Sequence, residues 1–353
     1  MSARASSPTV DGGVPLSVLD LVPVGTGSTA SEALRDTVRL ARLADRLGYA
    51  RYWFAEHHSM PSIASSAPEI LIGHVAAATD RIRVGSGGIM LPNHVPLQVA
   101  ERFHTLEALY PGRIDLGIGR APGTDPATVR ALRPFDAQRF SEQLGELLAI
   151  SRQEFPEDHP FHSIRVVPDD VALPPVWLLG SSGASAQLAG RLGIGYGFAS
   201  HFSHASPLPA AEAYVESFQP SPQFPRPHFI LAVAVVCAET QARAEYLASS
   251  MDLAWARIQR SEFGPLPSPE EAQAHAYTAV ERSVIEHYRR LSCVGTPAMV
   301  REWIEARVAE TGADEVMVTA TVHDPDERLR SFELVAEACE LPAAASSDAG
   351  ANG

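Results

Sequence analysis

The stretch IRVGSGGIMLPNHVPLQVAERFHTLEALYPGRIDLGIG, residues 82–119, decides the architecture. It opens on an apolar run at 82–91 and passes into a segment, 96–109, whose apolar residues recur at helical spacing. A second apolar run closes it at 113–119. Strand, helix and strand in that order make a βαβ unit, and the pattern repeats outward in both directions. Further apolar runs lie at 16–22, 50–55, 176–180, 195–200, 229–237 and 315–320. Helix-like segments lie between them, at 31–47, 68–79, 137–152, 184–192, 207–218, 239–256, 296–310 and 325–340. Leu34, Val38, Ala41 and Leu47 mark the apolar stripe of the first. Eight strands, each followed by a helix, describe a (β/α)8 TIM barrel of the α/β class more economically than two domains, although an open doubly wound sheet has the same strand count.

The barrel is expected to occupy residues 14–342 as one domain. The ends, 1–13 and 343–353, are small and polar and read as disordered tails. With 353 residues the chain exceeds the ~250 typical of such barrels, so an insertion is expected. Residues 257–290 are its place: polar, Pro-containing and poorly patterned at the start, as a lid over the barrel mouth or a plain surface excursion.

Composition excludes several function classes. The net charge of -14, with no basic cluster, argues against nucleic acid or an anionic membrane as partner. No apolar run approaches the ~20 residues of a membrane span. The N-terminus lacks a signal-peptide core, so a cytoplasmic location is expected. Cys237, Cys293 and Cys339 form no C-x-x-C pair, which speaks against a disulfide framework or a thiolate metal site. All 28 basic residues are arginine; without lysine there is no Schiff base and no Walker A motif.

Within this frame the polar residues at strand ends carry the chemistry. RYWFAEHHSM, residues 51–60, is an aromatic strand ending in Glu56, His57 and His58, at the end where barrel enzymes keep their active sites. Strand alternation points Ala55 and His57 one way, Glu56 and His58 the other. A hydrolytic metal centre would want an H-x-H pair, and the chain has none, so no metal site is expected. Gly85, Gly87 and Gly88 weaken a strand unless a flat ring or a bulge needs bare backbone there, and Asn93 and His94 follow at its mouth as donors and acceptors for a heterocycle. The glycines of DLGIGRAPG (115–123) are misplaced for a dinucleotide fingerprint, and Arg120 reads better as an anion clamp. Ser181, Ser182 and Ser185 open a helix after the fifth run; with Arg120 and Arg139 they suggest a phosphate site.

Taken together, YWFAEHH, RIRVGSGGIMLPNHVPLQVAE, LEALYPGRIDLGIGRAPGTDP, VWLLGSSGASAQLAGRLG and the late VGTP (294–297) resemble the bacterial luciferase-like flavin monooxygenases. That resemblance implies a (β/α)8 barrel binding FMN or, in a sister branch, coenzyme F420. It makes His57 the catalytic histidine, with Glu56 beside it in the flavin pocket and biasing its protonation. It sets Gly87–Gly88 at a non-prolyl cis peptide against the flavin ring, and Arg120, Arg139, Ser181, Ser182 and Ser185 at the phosphate; with Asn93 from the strand-three mouth, these are the expected cofactor-binding residues. It further implies a two-component monooxygenase: reduced FMN (FMNH2) from a separate NAD(P)H:flavin reductase, O2 as cosubstrate through a flavin C4a-hydroperoxide, a small-molecule substrate and a homodimer. Luciferase has a glutamate at the position of Ser181 and its reactive cysteine at that of Gly119, so light emission and aldehyde specificity do not carry over. The wording SSAPEI and GRAPGTDP is closest to a branch with oxygenases of aromatic polyketide pathways. The alternatives are an F420-dependent dehydrogenase and a non-catalytic flavin-binding protein.

Overall fold

The structure, a computed structural model, describes residues 13–132 and 137–343. The two expected tails therefore lie outside the described residues, except for Gly13 and Ala343. Nine strands form one sheet among the described residues: β1 (Leu16–Asp20), β2 (Arg51–Phe54), β3 (Arg83–Met90), β4 (Ile114–Gly119), β5 (Val176–Gly180), β6 (Gly195–Ala199), β7 (Phe229–Cys237), β8 (Ser292–Gly295) and β9 (Glu315–Thr319). Strands β1 to β7 pair in sequence order, β7 then pairs with β9 and β9 with β1, all parallel. The ring closes as an eight-stranded barrel, and the open doubly wound sheet is set aside.

Helices α1 (Ala30–Leu47), α2 (Pro68–Ala78), α3 (Pro96–Leu109), α4 (Pro126–Leu132), α5 (Phe140–Arg152), α6 (Gly183–Leu192) and α7 (Leu208–Ser217) connect the first seven strands. α8 (Gln241–Gln259), α9 (Pro269–Ala274) and α10 (Ala279–Arg289) follow β7, and α11 (Pro297–Thr311) and α12 (Pro325–Ala338) flank β9. Local signals set their limits. α1 starts on a capping box, Thr29 with Glu32, and stops at Gly48, whose φ of 87° suits glycine.

β8 was not among the expected strands; its four residues, SCVG, are too short to carry a pattern. It pairs with the end of β7, Ala234 to Cys237, after β6 has stopped at Ala232. β8 therefore extends the wall above the barrel and is not one of its eight staves. Segment 257–290 is also more ordered than its composition suggests. It holds α9 and α10, and Leu266 exchanges backbone hydrogen bonds with Val24 and Thr26 just past β1 (2.8 Å each).

Strand alternation sorts the lumen into layers. Near the strand starts lie Ser17, Arg51, Arg83, Asp115 and Glu315. Above them Leu19, Trp53, Trp177, Ile230 and Met317 form a bulky plug. Toward the strand C-termini the same alternation brings Ala55, Gly87, Gly117, Gly119, Gly197 and Ala232. Leu21, Leu179 and Thr319 share that layer, and Leu179 lies over the bare backbones of Gly88 and Gly197, its methyl carbons 2.7 and 2.8 Å from where their Cβ atoms would be. The opposite faces of the strands, such as Val18, Tyr52, Val84 and Leu116, pack against the helices.

Candidate active site

Because all strands are parallel, residues just past their C-termini meet at one rim. Glu56 and His57 follow β2, Asn93 follows β3, Arg120 follows β4, and Ser181, Ser182 and Ser185 follow β5. Arg139 precedes α5 and belongs to the same end of the barrel, since helices run back antiparallel to strands.

Glu56 is fully buried and its carboxylate is saturated. It accepts from His58 Nε2 at 2.7 Å, from His94 Nε2 at 3.0 Å to each oxygen, and from the Met90 backbone N–H at 2.8 Å. Burial pushes its pKa up, but the His58 and His94 contacts win and hold it at about 2. Glu56 biases His57 through its charge, which raises the His57 pKa, while its hydrogen bonds go to His58, His94 and Met90. The carboxylate turns to the opposite side, as strand alternation requires, and ties the end of β2 to the end of β3.

His57 is held by Gly123 instead, its Nδ1 3.1 Å from the Gly123 carbonyl. A carbonyl only accepts, so Nδ1 carries the proton and Nε2 keeps a lone pair. Burial lowers the His57 pKa, outweighing the Gly123 hydrogen bond and the Glu56 charge, so the ring is neutral near pH 7. Position 123 requires glycine: φ is +67°, and a Cβ there would lie 2.6 Å from the Glu56 carbonyl oxygen. His58 N–H donates to the same Gly123 carbonyl at 3.3 Å, and Thr124 Oγ1 donates to His58 O at 2.6 Å. The β4 loop is therefore bolted onto the histidine pair.

The Gly87–Gly88 peptide is cis, as expected, within a register shift between Ser86 and Ile89. A Cβ on Gly88 would come within 2.7 Å of the Gly117 carbonyl oxygen, so the backbones of β3 and β4 touch here. Asn93 Nδ2 donates to Pro122 O at 2.9 Å, while its buried Oδ1 has no partner among the described residues. His94, expected beside a heterocycle, is committed to Glu56.

Arg120 is exposed and has no hydrogen-bond or ion-pair partner among the described residues. On the neighbouring strand, Ser182 is the N-cap of α6 without a side-chain cap bond, and the first helical bond runs from Ala186 N to Ser182 O. The N–H groups of Gly183, Ala184 and Ser185 thus remain for an anion. Ser185 Oγ donates to Ser182 O at 2.8 Å and lies 3.1 Å from the Tyr196 hydroxyl, so it braces the loop. Arg139 ion-pairs with Glu142 at 3.3 Å, which separates it from the open Arg120.

The sequence model of the luciferase-like monooxygenases matches residues 14–315, and with it the whole ring except the rest of β9 and α12. The chain belongs to that family. It is a luciferase-like monooxygenase. An Escherichia coli K12 protein named luciferase-like monooxygenase is 42% identical over 93% of this chain and 97% of its own. The N-acetyl-S-alkylcysteine monooxygenase of Bacillus subtilis is 34% identical over 92% of this chain and 98% of its own. The crystal structure of apo-MsnO8 superposes with a TM-score of 0.86 at 40% identity, over 94% of this chain and all of that one.

The sequence reading missed Gly123 and did not foresee that His94 turns to Glu56. Alternation already paired Glu56 with His58, but nothing local announced that the β3 and β4 loops supply their partners. His201, in HFSH just past β6, reads as a structural histidine.

The Glu56 cluster has a pH signature. Its folded pKa lies below the ordinary 4.5, so the stabilisation is complete above pH 4.5 and is lost as pH falls toward 2. The difference corresponds to about 3 kcal/mol. Glu56→Gln should therefore be less stable than wild type at pH 6, with the gap closing toward pH 3. Urea unfolding at the two pH values measures this; a gap independent of pH would mean that the carboxylate's charge is immaterial.

Proposed function

We propose that this monooxygenase is the oxygenating component of a two-component system. It takes reduced FMN (FMNH2) from a separate NAD(P)H:flavin reductase and uses O2 to oxygenate a small organic molecule. The observation that carries the reading is an unpartnered Arg120 at the end of β4, next to the strand that leads into the open N-terminus of α6. These residues fit a flavin with one terminal phosphate. Arg120 and the amides of Gly183–Ser185 would hold the phosphate, the bare Gly87–Gly88 backbone would face the flat ring, and Asn93 Oδ1 has a free acceptor site. When bound, reduced FMN supplies the electrons that activate O2.

The chain's own chemistry centres on His57. Its Nε2 takes or returns a proton, while Gly123 fixes the tautomer and burial keeps the ring neutral. Glu56, saturated by His58 and His94, positions the loop and moves no proton near pH 7. An aromatic polyketide or related secondary metabolite is the substrate class that the sequence resemblance favours.

Anaerobic titration tests the cofactor. Reduced FMN should bind at least about tenfold better than reduced F420, ~1.4 kcal/mol, and the reverse order would favour a deazaflavin dehydrogenase. In the same titration Arg120→Ala should weaken FMN by ~1.5–3 kcal/mol with the fold intact, and unchanged affinity would remove Arg120 from the phosphate site.

We also propose that 257–290 works as a lid that excludes water. Its exposed stretch Arg260–Phe263 precedes the anchored Leu266. Limited proteolysis should cut there in the free protein and slow on binding flavin and substrate. Equal cutting in both states would leave the segment as a surface excursion.

A further inference from the structure

His201 stands directly after β6, and in the ring of eight β6 is four strands away from β2, so it faces His57 across the mouth. His57 is near enough to bear on the charge of His201, which also meets the backbone of Ala232, a lumen residue of β7. Its Nδ1 is shielded from solvent and has no hydrogen-bond partner among the described residues. The Ala232 backbone acts on the ring as an acceptor, and with Nδ1 unpartnered the proton that meets it belongs on Nε2. Burial first, and His57 after it, hold the His201 pKa down at about 4, so the ring stays neutral through the physiological range. Phe202 packs edge-on against the ring at 4.7 Å between centroids, while 54% exposed itself. A buried acceptor left unmatched is costly, and unmatched polar atoms of this kind concentrate where a ligand completes them.

We propose that His201 is a positioning residue of the oxygenation site, whose Nδ1 accepts a hydrogen bond from an N–H or O–H group of a molecule held in the barrel mouth. The inference rests on the flavin-binding reading for the identity of that mouth as the active site. Both sources of such a donor share this chemistry: a ring N–H of the flavin, or a hydroxyl or amide of the substrate. With Nε2 fixed on Ala232 and Nδ1 on the ligand, the ring bridges the wall to the reactants and moves no proton itself. His57 and His201 thereby divide the work, one exchanging a proton and the other holding the donor opposite it.

The test uses the full chain labelled with 15N-histidine, the His201 ring nitrogens being assigned from their loss in His201→Asn. Spectra of the free protein between pH 6 and 8 should give an Nε2–H tautomer with unprotonated Nδ1. The probes are oxidised FMN, anaerobically reduced FMN, and then phenol with anisole as its donor-free control. Nδ1 should shift with one of the flavins if the cofactor is the donor, or with phenol and not anisole if the substrate is. His201→Phe should weaken that probe about tenfold, whereas His201→Asn, which offers a carbonyl acceptor, should retain most of the affinity. A protonated Nδ1 in the free protein, or an Nδ1 unmoved by every probe, overturns the proposal. Failure of FMN to bind at all counts against the flavin reading alone, because phenol added to the free protein still decides His201.

Discussion

Replacing His57 by alanine should lower product formation by ~10²–10⁴ while leaving FMN affinity within about threefold of wild type. The separation follows from geometry. The proposed phosphate contacts, Arg120 and the first turn of α6, come from the ends of β4 and β5, whereas His57 is held from β2 by the Gly123 carbonyl. Without the imidazole, reduced flavin should still consume O2, but the oxygen should leave as H2O2 and the substrate should go unmodified. Peroxide released per product formed is therefore the decisive ratio, and it should rise steeply. The wild-type pH profile supplies a second check. Burial lowers the His57 pKa, so the neutral ring persists below pH 6.5 and the acid limb of activity should fall under that value. A coupled His57→Ala enzyme of nearly normal rate would reduce the histidine to a polar strand end.

Much of this was readable from the sequence because strand and helix periods are local. The eight apolar runs all became barrel staves, and the glycines of VGSGGIML did mark backbone contact and a cis peptide. What was unreadable depends on closure. The partner of His57 is a carbonyl 66 residues away, and Glu56 collects His94 from the next loop 38 residues on. No spacing rule encodes such meetings; they arise because parallel strands deliver their ends to a common rim. β8 escaped for a different reason, since four residues cannot express a period. The helices inside 257–290 were harder to read because α9 has only six residues and, like α10, takes its start from a cap, at Ser268 and Thr278.

The other end of the barrel gives the second large effect. Arg51, Arg83, Asp115 and Glu315 each stand at or beside the start of a strand, where a sequence reading treats charge as a strand edge reaching water. Closure instead drives them into the lumen floor. Arg51 donates to Asp115 at 2.7 Å and to both oxygens of Glu315 at 3.0 Å, with its guanidinium 4.7 Å from the Trp177 ring. Arg83 holds the far side of Asp115 at 2.7 Å, and Trp53 Nε1 adds a donor at 3.2 Å. Ser17 and His228 complete Glu315, the latter at 3.1 Å. Burial alone would raise the pKa of both carboxyls, yet Arg51 is the largest influence opposing it in each, and both are lowered. Arg51→Met should thus leave Glu315 with Ser17 and His228 but no arginine, and Asp115 with Trp53 and a single arginine. Losing one partner of such a buried network costs ~3–5 kcal/mol, a large part of the 5–15 kcal/mol that keeps a typical domain folded. Urea unfolding of Arg51→Met at pH 7 measures it, and adding Glu315→Gln should restore part of the loss by removing the stranded charge. A single variant within 1 kcal/mol of wild type, or a double variant that is worse by the simple sum, would mean that water reaches this floor and screens the charges.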